Sequence, residues 1–470
     1  FLQQNKISIE YILKNTHLTD KPLSSNPESN ANTLNFDNKN FQKEAFESGK
    51  INAICPVTGD LLHTDRSLIA DSQGSIFYRF SSKNHVFYLS VGRDGFGYIK
   101  LYLYLPNIKT ILLLGDPSWA WLGRWEIDIF RSFLISNHRS ILKYINNKQK
   151  PIFCALIDNG HFAHHIWNTL TGINATCNSP DPNLIDLYLA SNEPMGPIDK
   201  IFPEINENKV FRIHNSTIKN ITLSKNLFIV RPGGTVVTKQ IVKRIHNVAR
   251  QNNTSPFNLS AKEFRDKHYP ILWVSIRTGD RTWLSQADGI AKIANELKKK
   301  YPKFALIIDG YALPYPQHVP HGHVTQLVKS ETEVLNKINM LLDPSIHTRV
   351  FIGQPILSSV VYAGITDLYL AHHGAIQHKI AWLSNKPGVI HSNRSIISKF
   401  SSSKSSNYAA TKAIKGFTPP TYLDLPVVTD SDSNTTTDSS LKWDASLCNY
   451  DFNYQHALDN LNRILDHELK

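Results

Sequence analysis

The feature that most constrains the fold is a set of short apolar segments, each followed by a turn and then by an amphipathic segment. Residues 152–157 and 271–276 are the clearest examples, because almost every position in them is apolar. Continuous apolar strands are typical of parallel sheets that helices cover on both faces. After the second of these segments, Ile290, Ile293, Ala294 and Leu297 recur at helical spacing. The chain is therefore predicted to be an α/β protein built on parallel sheets.

Two Rossmann-like domains are predicted, preceded by a small β-rich N-terminal module. Residues 1–150 are predicted to form an N-terminal arm and this module, because four short aromatic and apolar runs there are typical of strands. Residues 151–257 and 258–400 each alternate strands with helices, and the polar segment 251–258 is predicted to link them. Residues 401–470 are predicted to be a Ser/Thr-rich loop and a C-terminal amphipathic helix.

Three local predictions accompany this division. The glycine-rich stretch 92–97 is predicted to be a hairpin turn rather than a phosphate loop, because it leads into a strand. Ser285 is predicted to cap the helix that follows it. The helix predicted over 119–134 is expected to turn one apolar stripe toward the core, formed by Trp121, Leu122, Trp125, Ile129 and Phe133.

Composition narrows the classes of partner. The formal net charge of +12 favours anionic partners such as nucleotide phosphates, nucleic acid or an acidic membrane surface. No long block of Lys and Arg and no RNA-binding signature occurs, which disfavours nucleic acid. No apolar run approaches the roughly 18–20 residues that a membrane span needs, so contact with a membrane is expected to be peripheral, if there is any.

The four cysteines indicate the compartment. They lie far apart and form no C-x-x-C pair, which argues against a zinc site and against a disulfide scaffold. That usage is typical of a reducing compartment, so a cytoplasmic protein is expected.

Candidate binding residues follow the strands of the second domain, because open α/β sheets bind ligands beyond the carboxyl ends of their strands. Arg277 and Arg281 come just after the segment 271–276. A guanidinium group makes permanently charged, bidentate contacts with phosphate, so these two are predicted to hold one. The alternative is an ion pair that closes the loop. Asp309, after the next strand, could accept from a ribose or a base, or could cap a turn.

The segment 371–378, Ala-His-His-Gly-Ala-Ile-Gln-His, is a second candidate because it forms a turn between a predicted strand and a helix. Gly374 would let the backbone approach a pyrophosphate, and the residues from Ala375 to Gln377 would present the free N–H groups of a helix N-terminus. His372 and His373 could hydrogen-bond a phosphate oxygen or a leaving group, or could only hold the turn.

The matching turn of the first domain, residues 158–165, is also rich in histidine. Displacing a phosphorylated leaving group by a hydroxyl group needs a general base, and histidine serves near neutral pH. His161 and His165 are the candidates and Asp158 is their rival, with His161 favoured because it precedes the body of the helix. The two turns are expected to face one another across a cleft.

Several other signals are rejected. Asp430-Ser-Asp432 matches a metal-binding D-x-D pair, but it lies in the Ser/Thr-rich segment far from the α/β strands. His321-Gly-His323 has no Cys, Asp or Glu close by in sequence, so no metal site is predicted. No phosphate-binding G-x-x-x-x-G-K-[ST] loop and no G-x-S-x-G nucleophile elbow occurs. The absence of G-x-G-x-x-G after the strands disfavours a dehydrogenase.

Two α/β domains with such motifs resemble the GT-B glycosyltransferases. The resemblance is carried by residues 161–168, His-Phe-Ala-His-His-Ile-Trp-Asn, by 275–281, Ser-Ile-Arg-Thr-Gly-Asp-Arg, and by 371–375. Within that fold, these motifs are similar to those of family-61-type and related bacterial polysaccharide transferases. The resemblance covers residues 151–400. It implies a nucleotide-sugar donor held mainly by the second domain and a glycan, lipid-linked or protein acceptor bound mainly by the first. It also implies transfer that needs neither a metal nor another cofactor.

Two rival functions stay open at this point. A sugar-phosphate epimerase could use the same architecture without any acceptor. A non-catalytic carbohydrate-binding or scaffolding protein would use its N-terminal module instead, with Trp119, Trp121 and Trp125 as the binding residues. The sequence does not identify the sugar, the base or the acceptor.

Overall fold

The structure is a computed structural model, and it describes residues 41–71, 74–82, 85–92, 100–114, 120–178, 184–234, 236–401, 417–431 and 445–467. Residue contacts divide the chain into two units, Phe1–Ile241 and Val242–Lys470. The arm before residue 41, the glycine-rich turn after Gly92 and most of the Ser/Thr-rich loop lie outside the described residues. The predicted limits of the domains stay predictions.

The first unit combines antiparallel and parallel strands. Its strands are β1 (Ile51–Ile54), β2 (Leu61–Thr64), β3 (Ser67–Ile69), β4 (Ile76–Ser82), β5 (His85–Val91), β6 (Lys100–Leu105), β7 (Thr110–Leu113), β8 (Ile152–Ile157), β9 (Leu187–Ala190), β10 (Val210–Arg212) and β11 (Leu227–Val230). Its helices are α1 (Phe41–Ser48), α2 (Ala120–Ser136), α3 (His138–Ile145), α4 (Phe162–His164), α5 (Thr171–Cys177), α6 (Ile198–Ile201) and α7 (Ile218–Ser224). A π-helical segment, His165–Leu170, joins α4 to α5, and α8 (Lys239–Asn252) spans the limit between the units.

The β-rich part of the first unit is a five-stranded antiparallel sheet in the order β3-β4-β5-β6-β7. Helix α2 packs on it through Ile127, Phe130 and Phe133, and the ring of Phe130 stacks on Phe77 at 3.8 Å. The predicted stripe is therefore wrong at Trp125, which is 46% exposed. Phe133 lies in the core as predicted and Ile129 is partly buried, whereas the side chains of Trp119, Trp121 and Leu122 lie outside the described part of the chain.

The parallel sheet of the first unit has the order β10-β9-β8-β11, so β11 lies at an edge. The β-rich part supplies the hydrogen bonds that this edge would otherwise lack. Ile229 N–H donates to Ser67 Oγ (2.8 Å), and Tyr78 Oη donates to the Ile229 carbonyl (3.0 Å). Tyr144 Oη, on α3, donates to the Leu227 carbonyl (2.8 Å). Because buried backbone groups must be paired, these bonds fix the β-rich part to the parallel sheet within one unit.

The second unit is built on parallel strands covered by helices. Its strands are β12 (Ile271–Ser275), β13 (Ala305–Asp309), β14 (His347–Val350), β15 (Leu368–His372), β16 (Gly388–His391), β17 (Thr421–Tyr422), β18 (Thr429–Asp430) and β19 (Tyr450–Asp451). Its further helices are α9 (Ser255–Lys267), α10 (Gln286–Lys300), α11 (His323–Leu341), α12 (Ile356–Ala363), α13 (Ala375–Ser384), α14 (Arg394–Phe400) and α15 (Tyr454–His467).

The six-stranded sheet of this unit is parallel throughout and has the order β14-β13-β12-β15-β16-β17. The chain builds outward from β12 to β14, then returns to lay β15 on the other side of β12. Every residue of β12, β13, β15 and β16 is buried, as the continuous apolar segments indicated. The prediction of an α/β protein with parallel sheets is confirmed. The point where the strand order reverses lies between β12 and β15.

One local prediction in this part of the chain is wrong, that Ser285 caps the following helix, whereas the interdomain linker over 251–258 stays a prediction. The segment 251–258 is mostly helical, because α8 continues to Asn252 and α9 begins at Ser255 with Thr254 as its N-cap. Ser285 does not cap α10 with its side chain. Its Oγ donates instead to the Asp451 carboxylate (2.6 Å), a residue that the sequence could not place beside it.

Candidate functional site

The candidate site lies in the second unit, at the carboxyl edge of the sheet, where β12 and β15 are neighbours. The loops after these two strands part in opposite directions, which is where open α/β sheets form a ligand crevice. Ser275 ends β12 and His372 ends β15. The backbone N–H of His372 donates to Ser275 Oγ (3.1 Å), and the same oxygen lies 3.0 Å from His372 Nδ1. The structure thus brings together the loop 277–282 and the turn 372–377, as the sequence predicted.

Two arginines of the first loop concentrate positive charge there. Arg277 donates from Nε to the Asp280 carbonyl and from Nη2 to the Asp280 carboxylate, both at 2.7 Å. Its Nη1 lies 3.4 Å from the position that a Cβ atom on Gly374 would occupy. Arg281 approaches the same carboxylate only at 3.5 Å, and its buried Nε has no hydrogen bond among the described residues. The ion pair that closes the loop is therefore present, although one carboxylate does not balance two guanidinium groups, and the contact with a phosphate stays a prediction.

The pKa values of this loop reflect that surplus. Partial burial and the neighbouring Arg277 lower the pKa of Arg281. Burial tends to raise the pKa of Asp280, but hydrogen bonding to Arg277 and the charges of both arginines hold it below its usual range. The carboxylate is therefore ionised at neutral pH, and the loop still carries an excess of positive charge that an anion could balance.

His372 and His373 hold the turn. Both are buried, and His373 Nδ1 lies 2.9 Å from the hydroxyl of Tyr422. Burial and the two arginines lower the pKa of His373 to about 3, and the pKa of His372 falls well below its ordinary value for the same reasons. Both rings are therefore neutral at physiological pH, and their contacts favour the second of the two roles predicted for them.

The N-terminus of α13 faces this charged loop without a side-chain cap. Gly374 precedes the helix at φ 146° and ψ −160°, a conformation that only glycine adopts readily. The first intrahelical bond runs from the His378 N–H to the Gly374 carbonyl (3.2 Å), so the helix itself has no acceptor for the N–H groups of Ala375 to Gln377. The buried Oε1 of Gln377 has no hydrogen bond among the described residues. The positive end of the helix dipole lies beside Arg277 and adds to its potential.

Asp309 is placed differently from its prediction. Its carboxylate lies 2.7 Å from Lys379 Nζ, and both side chains are fully buried at 0% exposure. Since none of its surface is exposed, it offers no atom to a ribose in this arrangement, and its contacts favour a structural place. Lys379 belongs to α13, donates to Ser359 Oγ (3.1 Å) and lies over the ring of Trp273. The ion pair therefore anchors the helix whose N-terminus lies at the site to β13.

A second carboxyl group near this pair was not predicted. Glu331, on α11, is buried and accepts a hydrogen bond from the Tyr311 N–H (2.7 Å). It lies so close to Gly310 that a Cβ atom there would come within 2.3 Å of its Oε2. Burial, together with the charge of Asp309, raises the pKa of Glu331 to about 7. No sequence signal separates this residue from the other polar residues of α11.

In the first unit, the predicted histidine-rich turn 158–165 lies at the carboxyl end of β8. Its first residue, Asp158, is already paired with an arginine. It makes a buried, bidentate ion pair with Arg231, whose Nε and Nη2 lie 2.9 and 2.6 Å from its two oxygens. Arg231 follows β11 and also donates to the carbonyls of Gly74 (3.1 Å) and Gly92 (3.2 Å). Asp158 therefore joins two strands to the β-rich part of the unit, and this position does not suit a group that takes a proton from a substrate.

The two histidines of this turn differ in their access to solvent. His165 is fully buried, neither ring nitrogen has a hydrogen bond among the described residues, and burial lowers its pKa to about 3. His161 is exposed at the start of α4, and its N–H donates to Asn159 Oδ1 (2.9 Å). Partial burial of its ring and the nearby His164 lower its pKa, although the residue as a whole is exposed. Only His161 among the three candidates presents a titratable ring to solvent.

Metal binding and membrane spanning find no support in the described part of the chain. It contains no group of three His, Cys, Asp or Glu side chains placed to hold a metal ion. Asp430 accepts a hydrogen bond from the Arg394 N–H (2.9 Å), and Asp432 lies outside the described residues. None of the described helices has the length and apolarity for crossing a membrane.

The sequence matches no protein-family model and no curated protein. Among solved structures, it is similar to UDP-GlcNAc 2-epimerase from Neisseria meningitidis, with 14% identity over 72% of this chain and 74% of that chain, at a TM-score of 0.31. A family 9 glycosyl transferase from Veillonella parvula DSM 2008 shows 10% identity over 54% of this chain and 60% of that chain, at a TM-score of 0.23. POFUT1 in complex with GDP shows 10% identity over 36% of this chain and 55% of that chain, at a TM-score of 0.22. Similarities this weak carry no assignment of activity.

Proposed function

We propose that the protein is a glycosyltransferase of the GT-B type, which moves a sugar from a nucleotide-sugar donor to a hydroxyl group of an acceptor. The observation that carries this proposal is the convergence of Arg277, Arg281 and the open N-terminus of α13 where β12 and β15 part. Permanent cations and helix N–H groups together match the geometry and charge of a diphosphate. The nucleotide-sugar donor would bind at this edge of the second unit.

The chemistry of transfer explains what these groups would do. The acceptor oxygen forms a bond to the anomeric carbon, and the bond from that carbon to the diphosphate breaks. The electron pair of the broken bond stays on the diphosphate, so negative charge grows beside Arg277 and Arg281. Hydrogen-bond donors and cations placed where negative charge develops lower the activation barrier more than they stabilise the bound substrate. In this proposal the arginines balance the charge, so the reaction needs no metal and no other cofactor.

The proton of the acceptor hydroxyl needs a base, and we assign this role to His161. The residue is exposed to solvent, and its lowered pKa keeps the ring neutral and able to accept a proton at physiological pH. Asp158 is paired with Arg231, and His165 lies in the core. Neither side chain is therefore available as the general base. The acceptor would be a glycan, a lipid-linked sugar or a protein, and a cytoplasmic location with peripheral membrane contact stays part of the proposal.

A thermal-shift screen tests the proposal. The full chain would be heated with a panel of nucleotide sugars and the matching nucleoside diphosphates, because a ligand that binds only the folded state stabilises it by about 2.7 kcal/mol at one hundred times its dissociation constant. We expect one nucleotide to raise the melting temperature with and without its sugar. No shift with any member of the panel would refute a nucleotide-sugar site.

The epimerase alternative is separated by the products. The donor that shifts the melting temperature would be incubated with the protein and no acceptor, and the sugar would be analysed by chromatography. A transferase leaves the sugar configuration unchanged until an acceptor is added. A change of configuration without an acceptor would favour the epimerase.

A further inference from the structure

A second basic site lies at the opposite edge of the six-stranded sheet. A cavity of about 380 Å³ opens there, beside the amino ends of β12, β13 and β14. Since β12 has five residues at about 3.3 Å each, the cavity lies roughly 16 Å along the strand from the Arg277 loop. We call it the amino-edge pocket. Its titratable and charged lining residues are Glu263, Lys267, His268, Lys298, Lys303, His347 and Arg349.

The charges of the amino-edge pocket are not balanced by its own residues. Its only carboxylate is Glu263, which lies 3.7 Å from Lys267. Lys298 Nζ donates to the Pro302 carbonyl (2.7 Å), and its charge helps to lower the pKa of Asp343 outside the pocket. The Arg349 guanidinium lies 5.0 Å over the ring of Phe264. Among the described residues, neither of these two cations lies within 4.0 Å of a carboxylate. Like charges gathered in one cavity repel one another, so the pocket is stabilised when an anion enters.

A pair of histidines lies in the same wall. The ring centroids of His268 and His347 are 4.8 Å apart. Partial burial lowers the pKa of His268, and the nearby His347, Arg349 and Lys298 lower it further. Without an anion, His268 therefore stays neutral at pH 7. An anion beside the ring of His268 would raise the pKa of that ring and so reverse part of this effect.

We propose that the amino-edge pocket binds a phosphate-bearing ligand at a site separate from the one that holds the donor. Lysines and an arginine recognise phosphate by charge and by hydrogen bonding. The cavity volume falls in the range of small-molecule pockets, roughly 300–1,000 Å³, so a phosphate ester fits better than a polymer does. The ligand is either a free phosphate ester or the headgroup of an anionic lipid, which share this chemistry.

Calorimetry on a variant with a weakened carboxyl-edge site measures binding at the amino-edge pocket alone. Arg277→Gln and Arg281→Gln together would weaken any phosphate site at the carboxyl edge, and inorganic pyrophosphate would then be titrated into the full chain. We expect binding with a dissociation constant below about 1 mM. Adding Lys303→Gln and His347→Gln, both at exposed positions, should weaken that binding at least tenfold. Lys299→Gln should change it less than twofold, because Lys299 is paired with Glu296 and is not among the lining residues of the pocket.

Further measurements make the test decisive. Lys303→Arg keeps the charge and should keep the affinity, and equal melting temperatures without ligand would show that the Gln variants are folded. Vesicles of phosphatidylcholine with and without phosphatidic acid separate the two sources of phosphate. If the ligand is a lipid headgroup, the protein should bind only the vesicles that contain phosphatidic acid. Absence of both pyrophosphate and vesicle binding, or equal binding by the Gln variants, would overturn the proposal, whatever becomes of the donor site.

Discussion

The buried ion pair between Lys379 and Asp309 gives the sharpest stability prediction. Lys379→Met removes the cation, keeps a side chain of similar length and leaves the carboxylate alone in the core. At 2.7 Å and an effective dielectric constant of about 20, the attraction that is lost is about 6 kcal/mol. Desolvation offsets part of that attraction in the native protein, so we expect the free energy of unfolding to fall by about 3–5 kcal/mol.

The assay is urea denaturation followed by far-UV circular dichroism. Lys299→Met makes the same change at an exposed position, and it should alter the free energy of unfolding by less than about 0.5 kcal/mol. Asp309→Asn combined with Lys379→Met removes both charges, so the double variant should recover most of the loss. The loss in the single variant should also be smaller at pH 5 than at pH 7, because a carboxyl group without its cation takes up a proton.

Two outcomes would refute this reasoning. If Lys379→Met cost less than about 1 kcal/mol, the pair would not be a tightly coupled buried one. If the double variant were as unstable as the single one, the cost would come from packing around Trp273 rather than from the uncompensated charge. If Lys379→Met destabilises the protein as predicted, it should also weaken diphosphate binding, because the ion pair anchors α13.

Three other predictions follow from the site and from the buried histidines. Gly374→Ala should cost about 1–3 kcal/mol through backbone strain and should weaken diphosphate binding; unchanged stability in denaturation would show that the turn tolerates a side chain. Acid should destabilise the fold, because His165 and His391 have pKa values of about 3 against an ordinary 6.5, so the unfolded chain binds more protons below pH 6.5. Each should remove about 2 kcal/mol between pH 6.5 and 5, and constant stability by urea titration over that interval would contradict this. His161→Ala should lower turnover by a factor of about 100 or more, and the wild-type rate should rise with pH around a midpoint below 6.5; full turnover in this variant would remove the base assignment.

The sequence was sufficient to predict the framework of the candidate site. Apolar continuity located β12 and β15, and the rule that ligands bind at carboxyl ends selected the loops after them. Those loops hold Arg277, Arg281 and Gly374, which the structure places beside one another. The proximity of these loops could be predicted because each inference depended on residues that are close in sequence, whereas their role at a diphosphate stays a prediction.

The contacts that fix this framework could not be predicted, because they join distant parts of the chain. Asp309 looked like a donor ligand because it follows a strand, and only the packing of α13 places Lys379 against it. Asp158 looked like a base for the same reason, and Arg231 pairs with it because β8 and β11 are neighbours. Strand order decides both pairs, and a local pattern does not contain the strand order.

A titration of nucleoside diphosphates into the full chain tests the central claim most directly. Calorimetry would compare the wild-type protein, Arg277→Gln, Arg281→Gln and the exposed control Lys299→Gln. Hydrogen bonds to charged groups contribute about 1.5–3 kcal/mol, so each arginine variant should bind roughly 10 to 100 times more weakly, while the control binds as the wild-type protein does. Equal affinity in the wild-type protein and both arginine variants, or no binding at all, would show that the carboxyl edge between β12 and β15 is not a diphosphate site.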